Sequence, residues 1–182
     1  MRGNAVRIIG IDPGLQHTGW GIIEQSGHQL RAIASGTIST TTTDDLAKRL
    51  DDIFRALCQI IETHAPTEAA IEESFMNNNA ASAIKLGMAR GVALLAPAHC
   101  GLIAAEYSAR LIKKSLTGTG TADKTQISMM ISRLMPGHKP DSSHAADALA
   151  IAICHGHHRQ SQNYIQTHGG NDNMSHPRKA KP

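Results

Sequence analysis

The stretch that most restricts what this chain can become is Ile8-Ile9-Gly10-Ile11-Asp12-Pro13-Gly14. An apolar run ends in a single acid and a Pro-Gly turn. A carboxylate at the end of a buried strand is costly unless something pairs with it. Asp12 can be a turn former, a holder of phosphate or ribose, or a metal ligand, and the rest of the chain has to decide. Beyond the turn, Gly19 and Gly21 leave a second strand bare on one face, where another backbone or a ligand can come close.

Strands are expected at 5–12, 17–25 and 29–39. Their short links suit hairpins, so the three should be antiparallel neighbours, with Gly14 supplying a positive φ if the turn needs one. A helix follows on the stripe Leu46, Leu50, Ile53, Leu57 and Ile60 or Ile61, with Asp44 and Asp45 in its first turn and Pro66 closing it. A short buried strand at 67–72 ends in acids. Then come a small-residue helix at 79–96, an apolar strand at 101–107, a basic helix at 108–116, a helix at 122–135 and an Ala-rich helix at 143–158. Residues 160–182 are polar and expected to be a disordered tail behind a single domain at 1–159. Three meandering strands followed by helix-strand-helix-strand predict an α/β fold: a five-stranded mixed sheet of order 3-2-1-4-5, flanked by helices. Ligand crevices in such sheets lie at strand carboxyl ends where the winding reverses, here between strands 1 and 4.

Asp12 ends strand 1 and Glu72 ends strand 4, so two acids from distant parts of the chain converge there. In Ser143-His144-Ala145-Ala146-Asp147, His144 and Asp147 are three apart and share one helix face. Alone, Asp147 would read as an acid complementing the helix dipole. Together with Asp12 and Glu72 it suggests more, because several carboxylates cannot share a buried site without protons or cations. Hard oxygen donors of this kind suit magnesium or manganese. The pattern fits two-metal phosphodiester hydrolysis, with two Mg2+ ions about 4 Å apart, one activating the attacking water and one stabilising the leaving oxygen. Asp12 is best placed to bridge both ions, Glu72 to complete one sphere, and His144 and Asp147 to hold the other.

Charge points to a polyanionic partner. From Asp44 to Glu73 there are eight acids and three bases, whereas from Lys85 to Lys139 there are eight bases and two acids. One basic face on a nearly neutral body is what a nucleic acid binder needs, although solvated helix faces give the same count. Cys58, Cys100 and Cys154 are too scattered for a disulfide framework or paired zinc spacing, which suits a reducing, cytoplasmic setting. Arg7 and Asp12 bracket too short an apolar run for a signal peptide, and Pro97 and His99 interrupt the longest one.

Four motifs together resemble the RuvC family of bacterial Holliday-junction resolvases. They are Ile-Gly-Ile-Asp-Pro-Gly at 9–14, Ala-Ile-Glu-Glu-Ser-Phe at 70–75, Lys-Leu-Gly-Met-Ala-Arg-Gly at 85–91 and Ala-Ala-Asp-Ala-Leu-Ala-Ile-Ala at 145–152. Each is weak alone; four in this order and spacing are specific. The resemblance spans roughly 6–155. It implies a ribonuclease-H-like fold and a homodimer that nicks two strands symmetrically across a four-way DNA junction with Mg2+ or Mn2+. It also implies work beside the branch-migration proteins RuvA and RuvB. It puts Asp12, Glu72, His144 and Asp147 in the four catalytic positions and Lys113 and Lys124 near the scissile phosphate. Lys85 and Arg90 are candidates to hold flanking backbone, and Phe75, one of five aromatic residues, to stack on an unpaired base, ordinary core packing being the alternative. The small-residue helix is a candidate dimer interface.

One position departs from the pattern. Many family members carry an acid where this chain has His144, which removes a negative charge and offers nitrogen. A stronger manganese preference and activity falling in acid are the expected consequences. Several weaker signals carry bland readings. Cys154-His155-Gly156-His157-His158 hints at zinc, yet histidines at a helix C-terminus are favoured by the dipole. Glu73 faces away from Glu72 on a strand, and Glu106 is a fallback ligand.

Three other readings compete. A related enzyme processing structured RNA would share the chemistry but not the full motif set. A sugar-kinase-like nucleotide module would need a second Asp-x-Gly hairpin, which the sequence lacks. A junction binder without catalysis would not need Asp12.

Overall fold

The computed structural model describes residues 5–73 and 79–168. Strands β1 (Val6–Asp12), β2 (His17–Ser26) and β3 (Gln29–Ser39) lead into helix α1 (Leu46–His64). Then follow β4 (Glu68–Glu73), α2 (Ala80–His99), β5 (Ala104–Ser108), α3 (Ala109–Thr117), α4 (Lys124–Leu134) and α5 (Ser143–His168). The five strands form one sheet in the order β3-β2-β1-β4-β5, as the chain's pattern predicts. β1 pairs antiparallel with β2 and parallel with β4, and β4 pairs parallel with β5.

β1 is buried on both faces, which is why it reads as a continuous apolar run. Its odd-numbered Ile9 and Ile11 pack with Ile53, Leu57 and Ile61 of α1 and with Ala93 and Ala96 of α2. Its even-numbered Ile8 joins Ile112, Ile127, Ile131 and Leu149 from α3, α4 and α5 on the other side. Asp12 follows Ile8 and Gly10 in this alternation, so it points to the α5 side. On β4, Ala70 belongs to the α5 side and Ala69 and Ile71 to the other, so Glu72 shares the α5 side with Asp12. The β1–β4 register pairs Ile11 with Ile71, and one further step sets Asp12 beside Glu72.

Helix α5 lies on glycine. A side-chain carbon added at Gly10 would fall on the carbonyl oxygen of Ala148 and within 2.7 Å of the Ala152 amide nitrogen. At Gly19 it would strike the His144 carbonyl, and at Gly21 it would stand 2.9 Å from the Leu149 side chain. Gly10 pairs with Gly21, and Asp12 with Gly19, so the bare patch runs across two strands. The close approach expected at Gly19 and Gly21 is therefore that of a helix backbone.

Several boundaries differ from the sequence reading. Gly14 does not adopt positive φ; its missing side chain instead leaves room for the His17 carbonyl. Asp44 and Asp45 precede α1, which begins at Leu46 with Asp45 as N-cap residue and no side-chain cap bond. α2 runs through Pro97 to His99; proline removes one helical donor there, and the Cys100 amide still reaches the Ala96 carbonyl at 3.1 Å. α4 opens on a capping box between Asp123 and Gln126 rather than at 122. α5 continues to His168, inside the segment expected to be a polar tail.

If the glycine patch seats α5, Gly10→Ala should cost about 3 kcal/mol or more by overpacking against helix backbone. Urea denaturation of the variant reads this directly, and wild-type stability would show that α5 does not rest on β1.

Candidate active site

Asp12 and Glu72 are delivered by adjacent strand ends; His144 and Asp147 come from the first turns of α5. Ser142 fixes where that helix starts. Its hydroxyl accepts the Ala145 amide at 3.0 Å, an N-cap bond, and lies 2.6 Å from the Thr37 hydroxyl of β3. The helix start is thereby tied to the sheet, and His144 is held over Gly19.

His144 Nδ1 lies 3.2 Å from Asp12 Oδ2. The ionised carboxylate can only accept, so Nδ1–H is the donor in this contact. Asp12 is otherwise sheltered, its side chain only 17% exposed. Burial pushes its carboxyl up; the His144 bond opposes this and the Asp147 charge adds to it. Burial first, then the charges of Asp12 and Asp147, push Glu72 up to about 7 against the opposing charge of Lys113. Asp147 is likewise raised by burial, against the pull of Lys124, whose Nζ stands 3.9 Å from Asp147 Oδ2. Three carboxyls that each resist ionisation because they are buried together form a site that attracts cations.

Glu72 and Asp147 open into one cavity of about 270 Å3, where Lys113 and Lys124 also line the wall. Two ammonium groups beside two carboxyls suit a phosphodiester: the acids handle cations and the lysines face the anion. All four residues predicted for the acidic site, and both lysines predicted beside it, are thus brought to one end of the sheet.

Lys85 and Arg90 are not. They lie on α2, across the sheet, and Arg90 is ion-paired with Glu106. That pairing also occupies Glu106, the fallback ligand. Glu73 is exposed on the face opposite Glu72. Phe75 lies outside the described residues. The His155 ring of the suspected zinc run bridges Glu68 Oε2 at 2.9 Å and the Tyr107 hydroxyl at 2.8 Å, a structural tie.

The sequence reading missed His17, whose ring sits 5.5 Å from that of His144 and whose Nδ1 meets the Ser39 hydroxyl at 3.1 Å. Period two was the available signal, since His17 shares a strand face with Gly19 and Gly21. It also missed Ser142 as the cap.

The sequence model of the family described as "Crossover junction endodeoxyribonuclease RuvC" matches residues 8–155. The chain belongs to the RuvC family. It is therefore a nuclease, and RuvC membership implies dependence on a divalent metal. Relatives named "Crossover junction endodeoxyribonuclease RuvC" include one from Mesorhizobium japonicum, 51% identical over 89% of this chain and 96% of the relative. Another, from Maricaulis maris, is 55% identical over 86% of this chain and 94% of the relative. Among solved structures, "T. thermophilus RuvC in complex with Holliday junction substrate" superposes with a TM-score of 0.81. It is 28% identical, over 86% of this chain and 96% of that one. The RuvC match confirms the ribonuclease-H-like fold.

The donor set fits a divalent ion in charge and hardness. Among the described residues, no three His, Cys, Asp or Glu side chains gather into a group that could by itself hold a metal. An open site of this kind suits magnesium, which keeps several waters and binds through one or two carboxylates plus phosphate oxygens.

The raised carboxyls predict a stability profile for the metal-free protein. Between Glu72's ordinary 4.5 and its native value of about 7, the folded state holds a proton that the unfolded chain has released. Stability is therefore full below this window and falls as pH rises through it, by about 1–2 kcal/mol once partial exposure is discounted. Thermal melts across pH should show this fall, flattened in Glu72→Gln and reversed at high pH by Mg2+; a flat wild-type profile would contradict the shared burial.

Proposed function

We propose that this chain is a Holliday-junction resolvase that nicks two strands of a four-way DNA junction symmetrically, as a homodimer, using two divalent ions per subunit. The observation that carries this reading is the meeting of Asp12, Glu72, His144 and Asp147 beside Lys113 and Lys124 at one sheet end, in a chain of the RuvC family.

Asp12, Glu72 and Asp147 are the residues that would hold the ions, with His144 contributing through Nε2. Mg2+ is the ordinary ion and Mn2+ the substitute that the imidazole favours. When bound, such ions lower the pKa of the attacking water and stabilise charge on the leaving oxygen. The chain's own contribution is arrangement. His144 holds Asp12 by its Nδ1 bond, so the strand-end carboxylate keeps one orientation. Lys124 is 84% exposed at its side chain, free to meet a phosphate that enters beside Asp147. Lys113, nearer Glu72, neutralises the phosphate from the other wall of the cavity. Nuclease action in the cytoplasm beside RuvA and RuvB follows from the family, as does a base-stacking role for Phe75.

Asp12→Asn should lower cleavage of a synthetic four-way junction by about a thousandfold or more while leaving junction binding near wild type. It removes the charge at the shared position and no backbone contact. Gel mapping of the nicks with Mg2+, Mn2+ or chelator tests the whole reading. Wild-type cleavage surviving in Asp12→Asn, or nicks at unrelated positions on the two strands, would sink it.

The homodimer is supported by α2. Ile84, Met88 and Leu95 are exposed at 61%, 42% and 57%, on the helix face that also carries Gly91. Side chains added at Gly87 or Gly91 would meet nothing within 4 Å. Small residues among exposed apolar ones let a second backbone approach closely. Met88→Glu should convert the dimer to monomer in analytical ultracentrifugation and abolish paired nicking; a dimer that survives Ile84→Glu and Met88→Glu together places the interface elsewhere.

A further inference from the structure

A groove of about 950 Å3 runs away from the acidic site between α4 and the loop joining it to α5. It shares Asp147 and Lys124 with the smaller cavity that holds Glu72, so the two are continuous. One wall presents the hydroxyls of Ser128 and Ser132 and the side chain of Met129, which is 66% exposed. The other wall presents the exposed Lys139 and Asp141.

The loop wall is anchored. His138 Nε2 lies 2.9 Å from the Ser35 hydroxyl, and Ser142 bonds Thr37 two residues further along β3. Gly137 takes φ 87°, which lets the chain turn down onto β3 directly after α4. The loop is thus pinned to the sheet at both ends with Lys139 held between. A fixed groove that sets hydroxyls and two lysines beside apolar side chains such as Met129 and Pro140 matches a sugar-phosphate backbone with its sugars and bases. Serine and lysine contact phosphate, and a methionine lies against sugar or base. By contrast, Arg90 on α2 already has a carboxylate partner.

We propose that the DNA strand entering the acidic site lies in this groove, with Lys139 contacting its backbone phosphate and Asp141 opposing it. The inference rests on the resolvase reading and adds a binding track that the family motifs do not mark, because 136–143 lies outside all four of them.

Charge makes it testable in both directions. Binding of a fluorescent four-way junction is followed by anisotropy in chelator over a range of salt. Lys139→Gln should weaken binding about fivefold and make the log–log salt slope shallower by about one, the signature of one lost phosphate contact. Asp141→Asn should tighten binding. Arg55→Gln, on α1 where the guanidinium pairs with Asp51 at 2.7 Å, changes net charge as much as Lys139→Gln and should leave the slope alone. Lys139→Gln behaving like Arg55→Gln, or Asp141→Asn failing to tighten, overturns the groove assignment. Wild type failing to bind the junction in the same titration overturns the resolvase reading instead.

Discussion

The contact on which the rest depends is that between the backbone of α5 and the glycine patch of β1 and β2. Helices ordinarily stand off a sheet by the length of the side chains between them. Here Gly10, Gly19 and Gly21 remove those side chains, and the carbonyls of His144 and Ala148 occupy the vacated space. The approach brings the first turn of α5 down to the level of Asp12, within reach of an imidazole. With a side chain at any of the three positions, His144 and Asp147 would be lifted off the strand ends, and the acids would no longer share one desolvated volume. The middle of the helix is tied down separately. Glu68, at the start of β4 and on the same face as Glu72, accepts from His155 at 2.9 Å and from Arg159 at 2.7 Å. One strand thus holds α5 at mid-length and meets it again at the active end.

Close approach has an electrostatic cost that the site turns to use. Asp12, Glu72 and Asp147 are each pushed up chiefly by burial, and the charges of Asp12 and Asp147 lift Glu72 further. Lys113 and Lys124 oppose this only from the rim. The acids are therefore left under-neutralised by the protein itself, a poor arrangement for stability and a good one for capturing a cation together with a phosphate. The same tension between site and stability is common where function needs buried charge.

Much of this was legible in the sequence, because two physical signals are strong there. An apolar run ending in an acid marks a buried strand with a purpose, and glycines spaced by two mark a strand face that something must approach. From these came the sheet order, the crevice between β1 and β4, and the meeting of Asp12, Glu72, His144 and Asp147. What was not legible depends on contacts between distant side chains. Ser142 looks like any loop serine until Thr37 is found beside it. Arg90 looks like a free cation until Glu106 is seen to pair with it. His17 shows no chemistry of its own; only the register that sets Gly19 opposite Asp12 puts its ring near His144. Boundaries erred where propensity met local exceptions, as with Pro97, tolerated in the last turn of α2.

His144 completes the account of Asp12. An acid in that place would set a fourth carboxylate against a carboxylate already sheltered from water, and neither could donate to the other while ionised. The imidazole instead supplies an N–H to Asp12 Oδ2. Its ring is flanked by His17, which is itself tethered to Ser39. The donor that makes a buried strand-end carboxylate tolerable in this chain is thus also a member of the site, and one bond orients that carboxylate on a helix that the glycine patch has already placed.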